Sequence, residues 1–324
     1  MAWIKAALCA TIFLFCHGAV AQEPAEASSE AAPLQEQGLE APSSVDYGSA
    51  EAEAPGSEPV DAVEDASVAA GDEAEGRDYD TFIKGVVLAI TERFDVAGVS
   101  AAVVENGEVA SLYAWGYADA ERTKPITSDG SLMRLASVSK TFTWTALAQL
   151  VHEGKIDLDK DVNAYLTEIE VPEAFGVPVT LRHVIAHQAG FEDQGLGLRP
   201  TRTDVSLVEH LSKQVPRRMR APGTAVSYSN WATGLAGRII ENVEGKPFND
   251  VIKERIFKPT GMTRSTFLHE LPGELAPLMP ESAVRENGQW LSSGMPVIFG
   301  EEAAGSLRAT GADMARYMIM HLNE

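Results

Sequence analysis

Leu132-Met133-Arg134-Leu135-Ala136-Ser137-Val138-Ser139-Lys140-Thr141-Phe142-Thr143-Trp144 is the stretch on which the reading of the chain turns. It contains Ser-x-x-Lys, with Ser137 and Lys140 three residues apart. On a helix that spacing puts both side chains on one face, within reach of each other. Phe142, Ala146, Leu147, Leu150 and Val151 follow at three- and four-residue intervals, which predicts a largely buried helix with Ser137 in its first turn. A helix start of this kind aims unpaired N–H groups and the positive end of the dipole at charge developing near the hydroxyl. A lysine held in apolar surroundings loses part of its preference for the charged form and can take the serine proton near neutral pH. The stretch therefore offers a nucleophile, Ser137, a base, Lys140, and part of an oxyanion site. The tetrapeptide alone is common, and a capped, solvated helix start is its plainer meaning. What accompanies it decides.

On the N-terminal side, folded structure is expected from Asp80. Thr81 to Phe94 has helical periodicity; Val99 to Val104 and Leu112 to Trp115 read as strands joined by a turn at Asn106-Gly107. A helix, a hairpin and the Ser137 helix in succession predict a mixed α/β domain. On the C-terminal side, Gly154 closes the Ser137 helix, and Ile156 to Val162 reads as a surface connection. Thr180 caps a short helix, Leu181 to Ala186, with His183 and His187 four residues apart. A two-histidine zinc helix needs glutamate after the first histidine, and Val184 stands there with no third ligand nearby. Both are read as structural histidines, with no metal or other cofactor.

Pro222 to Trp231 reads as a loop entering a helix from Ala232 to Val243. Tyr228 and Asn230, two apart in extended chain, can point into one cleft, where a phenol can relay a proton and an amide can hold a substrate carbonyl. Phe248 to Phe257 is expected as a helix closed by Pro259 and Gly261. Thr310-Gly311-Ala312-Asp313 is a capping arrangement for a last helix, Met314 to Leu322.

The 324 residues suit one large domain or two small ones, and a hydrophobic fraction of 45% is ordinary for a globular protein. A formal charge of −21 argues against nucleic acid or an anionic membrane surface as a partner. Much of that charge lies in residues 22–79, where 16 acidic residues face Arg77 alone among scattered Ala, Pro, Ser and Gly. Such a composition buries too little to offset chain entropy and reads as a disordered acidic linker. Before it, Lys5, the apolar run Ala6 to Phe15 and Ala19-Val20-Ala21 read as a secretory signal cleaved after Ala21, so a periplasmic or secreted protein is expected. No membrane segment other than this signal is read. The two cysteines, Cys9 and Cys16, lie within it, and bulky Phe15 before Cys16 argues against lipidation. The processed chain then has no disulfide and no cysteine chemistry.

Ser137-x-x-Lys140 and Tyr228-x-Asn230 stand in order, together with Thr180-Leu-Arg-His-Val-Ile-Ala-His-Gln-Ala-Gly190, Ser227-Tyr-Ser-Asn230, Ile256-Phe-Lys-Pro-Thr-Gly-Met262 and Ala304-Gly-Ser-Leu307. As an ordered set these resemble the serine β-lactamase and penicillin-binding-protein superfamily, in its class C β-lactamase-like branch of hydrolases, over residues 80–324. The resemblance implies an α/β fold of β-lactamase/transpeptidase type: a mixed antiparallel sheet with flanking helices, beside a helical subdomain. It implies Ser137 as nucleophile, Lys140 as base, Tyr228 as proton relay and Asn230 as substrate contact. The implied substrate is a β-lactam, a D-amino-acid peptide or a small ester, and the implied mechanism runs through an acyl-enzyme. A silent domain that binds peptidoglycan or another partner is the competing expectation. The superfamily's third box, Lys or His, one residue, then Gly on a strand, has only two imitations here. Lys258-Pro-Thr-Gly261 puts proline where a strand donor belongs, and Ala309-Thr310-Gly311 lacks the basic residue. The real box and the remaining strands are expected beyond Glu324, in a longer protein.

Overall fold

The computed structural model describes residues 78–192, 198–199, 206–293, 297–298 and 302–323. The expected signal segment, and the acidic linker up to Arg77, lie outside the described residues.

Asp78 accepts from the Thr81 N–H and so caps α1, Tyr79–Phe94, which starts slightly before the expected boundary. β1, Gly98–Glu105, and β2, Glu108–Gly116, form the expected hairpin. Asn106 (φ 53°) and Gly107 (φ 81°) take the two positive-φ positions of its tight turn. β1 is buried on both faces. Val99, Ala101 and Val103 face Ile83 and Val87 of α1, whereas Ala102 and Val104 face Ala315 in the last helix.

The chain continues through β3, Met133–Arg134, to α2, Ser139–His152, and α3, Leu181–Ile185. β4, Leu198–Arg199, α4, Leu207–Lys213, α5, Asn230–Glu244, α6, Phe248–Ile252, and α7, Lys258–Thr260, come next. Then follow β5, Ser265–Thr266, β6, Ser282–Glu286, β7, Gln289–Ser293, β8, Val297–Ile298, α8, Glu302–Gly305, β9, Arg308–Ala309, and α9, Gly311–Leu322. Among the described residues every strand pairing is antiparallel: β1 with β2, β4 with β8, β6 with β7, and β9 between β3 and β5.

The main core is helical. α2 is buried along its length by Phe142, Ala146, Leu147 and Leu150, and α5 packs Trp231, Leu235, Ile239 and Ile240 into the same cluster. Phe142 stacks on Tyr317 of α9, ring centroids 3.8 Å apart, and meets Phe257 and Phe267 edge-on.

Several elements differ from the expectation. Ser137 is not in the first turn of α2 but in a separate 3-10 turn, Ala136–Val138, just ahead of it. Ala136 has a left-handed φ of 43°, which interrupts the helical ladder one residue before the serine. The connection after α2 runs over the surface as expected at Asp157, Asp159 and Lys160, but Ile156 and Val162 at its ends are buried in the core. Pro259 does not end its helix. A π turn over Lys253–Phe257 widens the backbone ahead of it, which relieves the clash of the ring with the preceding carbonyls; Gly261, at φ 75°, closes the element. α5 begins at Asn230 rather than Ala232, with Ser229 Oγ accepting from the Ala232 N–H as its cap. α9 begins at Gly311, three residues early, with Thr310 Oγ1 accepting from the Asp313 N–H.

Candidate active site

The turn that carries Ser137 is held from three sides. β3 runs into it, and the Leu135 N–H donates to the Leu307 carbonyl at 2.9 Å. Behind it, Ser139 Oγ donates to the Ala136 carbonyl and accepts from the Leu307 N–H at 3.0 Å. One helical turn on, Thr143 Oγ1 donates to the Ala303 carbonyl at 2.8 Å. The α8–β9 segment is thus stitched to the start of α2, leaving Ser137 exposed and Lys140, at 4% exposure, beneath it.

Four side chains predicted from sequence converge there. Lys140 Nζ lies 3.2 Å from Ser137 Oγ and 2.7 Å from both Asn230 Oδ1 and the Ala304 carbonyl oxygen. Tyr228 Oη donates to Ser137 Oγ at 2.9 Å, and Lys140 Nζ sits 4.8 Å from the centre of the Tyr228 ring. Ser137 Oγ therefore stands between an amine and a phenol. Asn230 occupies the first position of α5 instead of extended loop, and its carbonyl oxygen engages Lys140.

The two histidines do separate work. His183 completes a capping box with Thr180; its pKa is lowered by burial and then by the Arg218 guanidinium. His187 lies beyond α3 at φ 53°, its ring stacked on Tyr228 at 4.3 Å. Burial first, then the charge of Lys140, lowers the His187 pKa. Among the described residues no cluster of three or more His, Cys, Asp or Glu could hold a metal ion.

Two neighbours of the site lie in phrases quoted from the sequence but had no role assigned there: the Ala304 carbonyl and His187. The two imitations of a third box sit elsewhere. Lys258–Thr260 is a helical turn, and Ala309 lies in β9 between β3 and β5, followed by the Thr310 cap. A cleft of about 1300 Å³ opens between α2 and α9 beside Val138, Thr141, Trp144 and Tyr317, and Ser137 does not line it.

The chain belongs to the beta-lactamase family, whose model matches residues 85–324. It is 29% identical over 229 residues to a D-aminopeptidase of Gluconobacter oxydans, a match covering 67% of this chain and 40% of that protein. A D-aminopeptidase of Brucella canis is 31% identical over 186 residues, covering 56% of this chain and 35% of that protein. The chain thus spans well under half the length of the curated relatives it matches. Among solved structures, an octameric penicillin-binding protein homologue from Pyrococcus abyssi is similar at a TM-score of 0.63 and 27% identity, covering 76% of this chain and 56% of that one. A class C beta-lactamase shares the fold at a TM-score of 0.61 and 23% identity, covering 74% and 63% of the two chains. The expected β-lactamase/transpeptidase-like fold is therefore the one observed. No described helix is long and apolar enough to cross a membrane.

Proposed function

We propose that the protein is a serine hydrolase that works through an acyl-enzyme on Ser137. The observation that carries this reading is the position of Ser137 Oγ, 3.2 Å from Lys140 Nζ and 2.9 Å from Tyr228 Oη. Lys140 is the base in this reading, with three oxygens around its Nζ: Ser137 Oγ, Asn230 Oδ1 and the Ala304 carbonyl. In the neutral amine two N–H groups can face Asn230 Oδ1 and the Ala304 carbonyl while the lone pair faces the serine proton. Ser137 Oγ then bonds to the substrate carbonyl carbon as its proton passes to Lys140, giving a tetrahedral oxyanion. Tyr228 hands a proton to the leaving amine or alkoxide as the carbonyl–heteroatom bond breaks. Water, deprotonated by the same groups, releases the acid and restores Ser137. Asn230 holds Lys140 in place and is the proposed substrate contact.

The substrate class that the relatives favour is a peptide or amide of a D-amino acid, with β-lactams and small esters as the other acyl donors of this chemistry. A secretory route, with the protein acting in the periplasm or outside the cell on peptidoglycan-type material, belongs to the same proposal and rests on Lys5 to Ala21. The test is hydrolysis by the intact protein of a D-alanine amide, a chromogenic cephalosporin and a p-nitrophenyl ester, beside Ser137→Ala. Turnover of at least one, lost about 10⁴-fold or more in the variant, is the expected result. No turnover of any, with peptidoglycan fragments still bound, favours the silent binder.

A further inference from the structure

Tyr228 is poorly anchored by its own packing. The residue is 38% exposed and the loop before it, Gly223 to Val226, is largely exposed as well. An exposed phenol has several rotamers and needs an outside constraint to stay 2.9 Å from Ser137 Oγ. His187 supplies contacts of three kinds. Its carbonyl accepts from the Ser227 N–H at 2.7 Å, and its Nδ1 accepts from the Ser229 N–H at 3.3 Å. Both chain neighbours of Tyr228 are therefore tied to one residue. The imidazole then lies against the phenol ring, centroids 4.3 Å apart and planes 29° from parallel, and is backed edge-on by Trp144 of α2. The left-handed backbone at His187, costly for a non-glycine residue, aims its carbonyl and ring at the same loop.

We propose that His187 is a positioning residue that holds the Tyr228 phenol on Ser137, acting as a neutral ring with its proton on Nε2. The proposal rests on the reading of Tyr228 as proton relay. The tautomer follows from the Ser229 contact, because Nδ1 can accept only if it carries no proton. The groups ranged against the ring agree. Lys140 from α2 is the basic neighbour, Tyr228 from the loop before α5 is the phenol it stacks on, and Trp144 packs edge-on against it. A protonated His187 would lose the Ser229 hydrogen bond and face the Lys140 amine. Neutral, it serves as a fixed flat support beneath the phenol.

The experiment combines kinetics and spectroscopy on the intact protein. Phosphonylation of Ser137 by a fluorophosphonate probe, with loss of fluoride, is followed in wild type, His187→Ala, Tyr228→Phe and the double variant, with probe affinity and rate constant separated. A residue that acts through Tyr228 cannot cost more than the loss of Tyr228 itself. His187→Ala is expected to lower the rate constant about 10- to 100-fold, within what a proton relay contributes, with probe affinity unchanged. In the Tyr228→Phe background the same change should add less than about threefold. His187→Asn, which keeps an acceptor for the Ser229 N–H, should recover part of the rate. Additive losses in the double variant, or a wild-type rate in His187→Ala, would overturn the proposal. Nitrogen NMR of the His187 ring gives an answer independent of turnover: an Nε2–H tautomer at pH 7 is expected, and a proton on Nδ1 contradicts it. Should wild type not label at all, the hydrolase reading fails and the catalytic part of the proposal falls with it, whereas an Nδ1 proton in a wild type that does label overturns the His187 contact alone.

Discussion

Thr143 illustrates how much of the site depends on side chains that never touch a substrate. Its hydroxyl donates to the Ala303 carbonyl in fully buried surroundings, beside the segment whose Ala304 carbonyl engages Lys140. Thr143→Val keeps the shape but removes the donor. It is expected to cost about 1–3 kcal/mol in chemical denaturation, the range for a buried polar group left unpaired, and to slow acylation by displacing Ala304. An unchanged midpoint would mean that the α8 contact carries no stability. At this scale the sequence is legible where the chemistry resides in a distinctive side chain at fixed short spacing. Ser137-x-x-Lys140 and Tyr228-x-Asn230 have that property, and the fold brings all four together. The Ala304 carbonyl and the His187 ring do not. One is backbone, and the other is a histidine whose stack and two hydrogen bonds depend on a loop about forty residues away. His183 and His187 invited a comparison with metal ligands four apart, yet the short helix ends at Ile185, between the two.

Among the elements, α2 is the axis of the helical core. Phe142 is fully buried against Tyr317, Phe257 and Phe267. Phe142→Ala is expected to destabilise the fold by about 3–5 kcal/mol, the usual cost of an emptied aromatic site, measured by urea unfolding. A loss below 1 kcal/mol would mean that the surrounding rings collapse into the space. Gly116 is the sharper backbone case. Its φ is 88°, and an added Cβ would lie 2.3 Å from the Ala97 carbonyl, so Gly116→Ala should be strongly destabilising where Gly85→Ala, with open space around it, should not. Periodicity and turn residues made α1, the hairpin, α2 and α5 legible to within a few residues. The misread details are those in which a local signal was overruled. A left-handed Ala136 detaches Ser137 from α2, and a π turn carries the helix past Pro259. The apolar ends of the Ile156–Val162 connection find a core that its charged middle conceals.

Over the whole molecule, stability should depend on pH in two windows. His183 and His187 have folded pKa values below their ordinary one. The unfolded chain therefore takes up protons first as pH falls through about 6.5. Stability is complete above that pH and declines as pH falls toward the folded values. Exposed Glu153, held to about 2 by Arg255 and Lys155, favours the folded state above about 4.5 and stops doing so as pH falls toward 2. Melting temperature is thus expected to drop between pH 7.5 and 5.5, and less steeply in His183→Gln/His187→Gln. An equal slope in wild type and variant would remove the histidines from the account. The family and its fold were legible from an ordered set of short phrases. The small antiparallel sheets were not, because β3, β5 and β9 are two residues each and find their partners only across long separations in the chain.

The most direct test of the central claim is intact-protein mass spectrometry after brief exposure to benzylpenicillin or the fluorophosphonate probe at pH 7.5. A single adduct is expected, mapping to the peptide that contains Ser137, absent from Ser137→Ala and strongly slowed in Tyr228→Phe. An adduct that persists in Ser137→Ala, or an unmodified wild-type protein under conditions that label a related hydrolase, would contradict it.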